Sequence, residues 1–423
     1  MKENKRAVWS WAFYDWGNSA YSTTVMAGFF PLFFKEYWAD PHNPNQSTFY
    51  LGMANSIASI VVASLAPLLG SIADQGSAKK KFLIFFAFLG VIMTGGLWMV
   101  SQGNWQMAVL FYVIATIGFA SGNVFYDSLL PGLASEERVD IVSSLGFGLG
   151  YLGGGLLFLV NVFMYLKPEI FGISDGATAI KLSLLSVAVW WAVFTIPLIL
   201  FVPEPKNYDA VDIKNAIQMG WIQLIQTFDE IRNMKVVGTF LLAYFFYIDG
   251  VDTIIKMAVD YGMSLNFSGE SLIIALLIVQ FVAFPAALIY GQLSSKVGIK
   301  TAIMIGIIAY SFITFLGYFI TKAWHFYVLA ILIGLFQGGI QALSRSLYTR
   351  IIPVEKSAEF FGFYNMLGKF AAIIGPALMG TISLVTGSAR LGILSILLLF
   401  ILGAFFLNKV DLDEGKRLAA DGL

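Results

Sequence analysis

Trp11-Ala-Phe-Tyr-Asp15-Trp-Gly-Asn18-Ser-Ala20 puts an ionisable carboxyl and an amide inside an apolar run that continues through Tyr21, Val25, Met26 and Phe29 to Phe34. At about 1.5 Å of rise per residue, a helix of that length crosses a bilayer. A carboxylate in hydrocarbon costs at least a few kcal/mol, so Asp15 must face a bundle interior or a watery cavity. Asp15, Asn18 and Ser22 fall at i, i+3 and i+7, which is one helical face. The rest of the chain repeats the device: long apolar helices, several with a narrow polar stripe.

Hydrophobic residues make up 58% of the chain and charged residues 12%. A soluble domain carries about 25% charged residues, so composition predicts a polytopic membrane protein with the lipid bilayer as its main partner. The formal net charge is zero, which argues against nucleic acid as a partner. There is no cysteine, which excludes disulfides, zinc–thiolate sites and thiol nucleophiles. His42 and His325 are too far apart in sequence to suggest a metal cluster. Lys2, Lys5 and Arg6 precede no small-residue cleavage site, so the N-terminal run reads as an uncleaved first span.

Apolar runs of spanning length fall at about 8–36, 49–73, 82–101, 106–133, 142–166, 178–202, 236–262, 270–294, 301–320, 325–351, 358–384 and 389–408. They predict an all-α membrane protein of twelve transmembrane helices. With the N-terminus cytoplasmic, eighteen Lys and Arg fall on that side and five on the other, which predicts both termini inside. Lys256, Arg345 and Lys369 remain within spans. The longest polar connection begins at Pro203, where proline ends a helix. In it Ile213, Ile217, Trp221, Leu224, Phe228 and Ile231 recur at helical spacing. That stripe predicts an amphipathic helix, either on the membrane surface or packed on protein. The expected organisation is a six-helix half over 1–202, a cytoplasmic linker over 203–235, and a second six-helix half with a short tail over 236–423.

The halves carry traces of duplication, as in many transporters. Gly70-Ser-Ile-Ala-Asp74-Gln-Gly76 leads into Lys79-Lys80-Lys81, and Gly291-Gln-Leu-Ser-Ser295-Lys296-Val-Gly298 leads to Lys300. Tyr14-Asp15-Trp-Gly-Asn18 is echoed by Ile248-Asp249-Gly-Val-Asp252 at the same i, i+3 spacing.

Five spans carry polar stripes on one face: Asp15 and Asn18; Asn123 and Asp127; Asp249, Asp252, Lys256 and Asp260; Gln337, Gln341 and Arg345; Asn365 and Lys369. Asp15, Asp127 and Arg345 lie roughly 10 Å from the cytoplasmic end, and Asp249 and Lys369 about 16–20 Å in. Two layers are therefore expected. In the inner one Arg345 pairs with Asp127 or Asp15 as part of a gate, and Asp74 at the membrane boundary acts as a conformational latch. In the central one Asp249, Asp252, Lys256 and Lys369, with Asn18, Asn123, Asn365, Gln337 and Gln341, form or border a cavity. The alternative is that the charges are structural pairs between helices. Trp9 and Trp11 fit an aromatic belt. The glycines from Gly146 to Gly155 permit close helix approach.

Twelve spans in two halves, with the Gly70…Asp74…Lys79 loop and its Gly291…Lys300 counterpart, resemble the major facilitator superfamily (MFS). The first loop departs from that pattern by placing its glycine one position early, at Gly76. The second has Ser295 where an aspartate is common, which predicts a weaker latch. Three regions look similar to the autophagy-related vacuolar effluxer family and its bacterial relatives. They are Tyr14-Asp-Trp-Gly-Asn-Ser-Ala20, Val124-Phe-Tyr-Asp-Ser-Leu-Leu-Pro131, and Gly338-Gly-Ile-Gln-Ala-Leu-Ser-Arg-Ser346 with Phe360-Phe-Gly-Phe-Tyr364. The compact length and short loops resemble the bacterial branch, which implies a bacterial cytoplasmic (inner) membrane. The resemblance implies the major facilitator fold, two pseudo-symmetric bundles working by alternating access with helices one, four, seven and ten lining the cavity. It also implies amino-acid efflux for the vacuolar members.

No phosphate-binding glycine loop, histidine metal motif or nucleophile elbow is present. The expectation is a monomeric secondary transporter, not an enzyme and without a cofactor, moving small polar solutes such as amino acids with protons as a candidate coupling partner. A zwitterion suits a site that offers carboxylates and lysines together. Export of amphiphiles or drugs and a non-transporting receptor or scaffold remain alternatives. The sequence also leaves the channel reading without a filter.

Overall fold

The computed structural model describes residues 4–39, 44–204, 222, 226, 234–265 and 267–420. The amphipathic helix expected from Ile213 to Ile231 falls outside the described residues apart from Ile222 and Gln226, and His42 and the side chain of Asp260 fall outside them too.

The first crossing, 5–38, begins as α1 (Lys5–Ala20) and continues through π-helical turns Tyr21–Phe29, an α-turn Phe30–Phe33 and further π-turns Phe34–Trp38. A single regular α-helix was the expectation, and its polar centre explains the change. Ser22 and Thr23 donate their hydroxyls to the Ser19 carbonyl at 2.9 and 3.0 Å, competing with the backbone ladder. Pro31 then removes another N–H. Beyond it come α2 (Pro44–Gln75), α3 (Lys79–Gly96), α4 (Trp105–Ser128), α5 (Val139–Leu166) and α6 (Gly176–Phe201). The second half of the chain supplies α7 (Lys235–Ser264), α8 (Gly269–Val297), α9 (Ile299–Tyr318), α10 (Ala323–Ile351), α11 (Ser357–Thr386), α12 (Leu397–Asn408, after a turn Ala389–Ser395) and α13 (Leu412–Ala420). Among the described residues eleven helices are long and apolar enough to cross a membrane; the path 5–38, interrupted by π-turns, is not among them. The described residues form an all-α helical bundle with helices of membrane-spanning length.

Short polar residues start helices at the end remote from the termini. Asn104 accepts from the Met107 N–H at 3.4 Å and Asp175 from the Thr178 N–H at 2.8 Å, each satisfying a donor with no partner in its own helix. At the basic end Gly298, at φ +84°, lets α8 turn directly into α9. The matching turn after α2 is built differently: Ser77, one position beyond Gly76, takes the positive φ of 47°, where an L side chain costs about 1–2 kcal/mol.

One apolar core gathers around Trp11, Tyr14, Tyr21, Phe30 and Trp191 of the first six crossings. A second gathers around Phe240, Tyr247, Tyr310, Tyr348 and Phe400. Phe85, Ile92, Leu200, Ile289, Ile308 and Ile401 are exposed on the outer walls, as lipid-facing positions require. Lipid gives no hydrophobic drive between helices, so the sets meet where small residues allow backbones to close. Along α2 and α11, Gly70 lies on the backbone of Ala358 and Glu359, and Gly362 lies on Ala66 and Pro67. Along α5 and α8, Gly291 meets Ser144 and Gly148 meets Phe284 and Leu288. The glycine run of α5 also serves a second neighbour, with Gly150 and Gly153 turned to Asp15 and Trp16 of α1. Trp11 does not belong to an aromatic belt: it is fully buried, whereas Trp9 is 48% exposed.

Candidate functional site: a central polar cavity

Helices α1, α4, α5, α7, α10 and α11 enclose a cavity of about 200 Å³. Asp15, Asn123, Asp127, Asp252, Gln341, Arg345, Asn365 and Lys369 all line it, so the stripes of five helices converge as their spacing requires. Tyr126, Phe147, Tyr244 and Tyr364 complete the wall. Tyr244 and Tyr364 stack at 4.0 Å between ring centroids.

The charged groups divide into paired and unpaired. Arg345 binds Asp127 at 2.9 Å and donates to the Ser143 hydroxyl and carbonyl at 2.9 and 2.8 Å. Its guanidinium lies 4.4 Å over the Phe147 ring and 4.9 Å over Trp11, a desolvated setting in which cation–π attraction is strongest. Trp11 is held in place by its own N–H to the Tyr126 carbonyl at 2.9 Å and by stacking on Tyr126. The partner of Arg345 is thus Asp127 and not Asp15. The Asp15 carboxylate takes the Ser19 hydroxyl at 2.9 Å and the Tyr126 hydroxyl at 3.5 Å. Asp252 and Lys369 make no ion pair or hydrogen bond among the described residues. The cavity therefore offers one free carboxylate and one free ammonium.

Other expected residues lie outside this lining. Asn18 is buried and donates to Asn123 at 2.6 Å, joining α1 to α4. Asp249 is buried against α11 and accepts from the Gly375 N–H at 2.9 Å. Lys256 is exposed. Gln337 is buried, with its side-chain oxygen unpartnered. The two echoed i, i+3 pairs thus divide their labour in opposite order: Asp15 faces the cavity and Asn18 packs, whereas Asp249 packs and Asp252 faces the cavity.

Hydrogen bonds between the two sets of helices gather toward the basic end. Deepest is Tyr151 of α5, whose hydroxyl donates to Gln341 of α10 at 2.6 Å. Next comes the Arg345 layer, together with Ser143, which donates to the Ala342 carbonyl at 2.7 Å. At the boundary Asp74 pairs with Lys79 at 2.7 Å and accepts from the Glu359 and Ala358 N–H groups at 2.8 and 3.3 Å. Lys79 also donates to the Ser357 hydroxyl at 2.6 Å. Across the bundle, Asp140 accepts from Ser294 at 2.8 Å, from Ser346, and from Arg350 at 2.9 Å. Among the described residues Ser295, aligned with Asp74 by the loop repeat, bonds only its own helix, at Gln292.

Sequence reasoning missed Asp140, Ser143 and Tyr151. Asp140 sits beside Arg138 where a short loop enters a helix, and reads there as ordinary loop charge. Its partner Ser346 closes the quoted Gly338-to-Ser346 motif, which was the available signal. Ser143 and Tyr151 are single hydroxyls among the glycines of α5.

The sequence model of the family described as "Vacuole effluxer Atg22 like" matches residues 42–420. Over 413 residues the chain is 40% identical to the uncharacterised MFS-type transporter YxiO of Bacillus subtilis (strain 168), covering 97% of this chain and 96% of that one. It is 27% identical over 416 residues to autophagy-related protein 22 of Saccharomyces cerevisiae (strain ATCC 204508 / S288c), covering 86% of this chain and 77% of that protein. Among solved structures, the MFS proton:xylose symporter XylE matches with a TM-score of 0.73 at 16% identity, covering 98% of both chains. The MFS transporter FucP in its outward conformation matches with a TM-score of 0.71 at 12% identity, covering 96% of this chain and 98% of that one. At those identities the structural likeness speaks for the fold alone.

Proposed function

This chain belongs to the Atg22-like vacuole effluxer family of MFS transporters, and from that premise we propose that it carries small zwitterions, amino acids first among them, across a bacterial cytoplasmic membrane. The observation that carries the reading is the free pair Asp252 and Lys369 facing one small cavity. A carboxylate and an ammonium left without partners at membrane depth are expensive, and an amino acid satisfies both at once through its own ammonium and carboxylate. The volume of about 200 Å³ is below the roughly 300–1,000 Å³ of drug-sized pockets, which favours amino acids over amphiphiles. The aromatic wall of Tyr244, Tyr364 and Phe147 keeps amphiphile export as the second reading.

In this reading, 1–202 and 236–423 rock as two units about the cavity, with both termini cytoplasmic and the linker 203–235 between them. Positive charge in the loops supports that orientation, so the Arg345–Asp127 layer and the Asp74 and Asp140 contacts form a cytoplasmic gate in its closed state. Efflux is the direction, protons are the coupling ion, and one chain is the working unit. The test is solute counterflow in proteoliposomes preloaded with unlabelled amino acids and given a labelled trace. Transient accumulation is expected, and Asp252→Asn and Lys369→Gln should each abolish it while the protein stays folded. Counterflow of a labelled amphiphile, with none for amino acids, would hand the site to the second reading.

A further inference from the structure

Asp249 is a buried carboxyl outside the cavity lining. It is fully buried, and its Oδ1 accepts from the Gly375 N–H at 2.9 Å and from the Thr253 hydroxyl at 3.3 Å. Its Oδ2 meets no hydrogen-bond partner among the described residues. A buried polar atom left unpaired costs about 1–3 kcal/mol, a cost that tying two helices together does not require. The amide it grips belongs to the residue before Pro376, which lies inside α11. Proline supplies no N–H there, so the helix is weakest at this point. A Cβ on Gly375 would fall 2.7 Å from Asp249 Oδ1 and closer still to the Thr253 hydroxyl. Only glycine lets α11 come this near.

Two connections run from this spot to the cavity. Asp252 lies one helical turn along α7 and lines the cavity, so the cavity wall comes within one turn of Asp249. Asn365 and Lys369 sit on α11 before the proline and line the same cavity. The charges acting on Asp249 are Asp252 and Lys256 of its own helix, and α11 contributes Lys369, nearly two turns before Gly375. Packed against the same stretch of α7, α12 brings the Phe400 ring at Gly250 and α10 brings the Ser344 hydroxyl at Tyr247.

We infer that Asp249 is a proton-binding site separate from the solute cavity, with Oδ2 the atom that takes the proton and the Gly375 amide the contact through which α11 senses it. The step is an acid–base exchange. The carboxylate takes one proton from water in the cavity, becomes neutral, and returns that proton to water on the other side after the halves rock. No bond to the solute forms or breaks. Losing the charge on Asp249 weakens its hold on the Gly375 amide and so biases the segment of α11 that carries Lys369.

This inference rests on the carrier reading, and one pair of assays in proteoliposomes separates the two. Counterflow of a labelled amino-acid mixture reports exchange, and accumulation of the same mixture under an imposed pH gradient reports coupling. Wild type should show both. Asp249→Asn should keep counterflow and lose the gradient-driven accumulation. Gradient-driven accumulation that survives in Asp249→Asn overturns the proposal, as does loss of counterflow in a protein that stays monodisperse with unchanged melting. If Asp249→Asn does not fold, Asp249→Glu replaces it. A shift in the pH of half-maximal transport then supports the assignment, and an unchanged value overturns it. Wild type that exchanges without responding to the gradient removes the proton site but leaves the carrier. Wild type without counterflow removes the carrier itself.

Discussion

Two seams join the helix sets at the basic end, and they are built from different materials. At the α2–α11 seam, Asp74 grips the first turn of α11 through backbone N–H groups, and Lys79 neutralises it from its own loop. At the α5–α8–α10 seam, Asp140 grips side chains, two serines and the guanidinium of Arg350. Both acids come from the first half of the chain. The loop repeat puts Ser295 where the first loop has Asp74, so a weaker latch is expected in the second half. The acid of that seam sits instead on the facing helix, and Ser294 supplies the donor. Duplicated loops therefore keep the position of a contact more faithfully than its chemistry. Each acid is paired with a largely buried cation, so the seams differ in what the facing helices offer, backbone N–H groups at one and side chains at the other.

The largest expected effect lies between the seams, at Arg345. Arg345→Ala leaves Asp127 buried without its cation, a loss of about 3–5 kcal/mol. A double-mutant cycle with Asp127→Asn should return a coupling of about 1–3 kcal/mol, and the cycle with Asp15→Asn a value near zero. Equal coupling to both carboxylates would contradict the assignment of Asp127 as the partner. The readout is melting of the purified protein, together with the distance between spin labels at Glu137→Cys and Glu355→Cys. Both positions are exposed, on opposite sides of the seam, and the chain has no native cysteine to remove.

Next come the seams themselves, compared by the same conservative change. Asp140→Asn should favour the separated label distance by about 2–3 kcal/mol, because it withdraws a charged acceptor from a cation that is 11% exposed. Asp74→Asn should cost as much, about 2–3 kcal/mol, because it takes the anion from Lys79, whose side chain is 7% exposed; asparagine still caps the first turn of α11. Lys79 also keeps Ser357 as an acceptor. A shift at Asp74 much smaller than at Asp140 would mean that the backbone N–H groups, and not the pair with Lys79, hold the α2–α11 seam.

The sequence made the helices legible because hydrocarbon demands long apolar runs, and it made the cavity legible because each stripe had to be hidden from lipid. It did not say which member of a stripe faces the cavity. Asn18 is drawn aside by Asn123 on α4 and Asp249 by the backbone of α11; neither neighbour can be read from α1 or α7 alone. The same limit hid Asp140, whose role exists only once α8 and α10 are placed against α5. Ser295, expected to form the weaker latch, bonds Gln292 of its own helix for a related reason. The hydroxyl that crosses the seam is that of Ser294, one position earlier and so about 100° round the helix.

The smallest expected effect is at α13, where the second seam reaches the surface. Gly415 packs on Ile351 and Val236, and Lys416 reaches Glu136 at 2.5 Å across to the first half. The hydrogen bond from Lys416, aided by the charges of Lys416 and Arg350, holds the Glu136 carboxyl below its ordinary range. A lowered carboxyl pKa means that the contribution is complete above the ordinary carboxylate value and is lost as pH falls through the lowered one. Glu136 is 60% exposed, so solvent screening limits the pair to a few tenths of a kcal/mol. Amide hydrogen exchange over 412–420 should therefore rise about twofold or less in Lys416→Ala at low salt and neutral pH. The difference between variant and wild type should vanish in 1 M salt, where charges are screened within about 3 Å. A tenfold rise that persists in salt would mean that Lys416 holds α13 by packing, and the charge-held character of this seam would then end at Arg350.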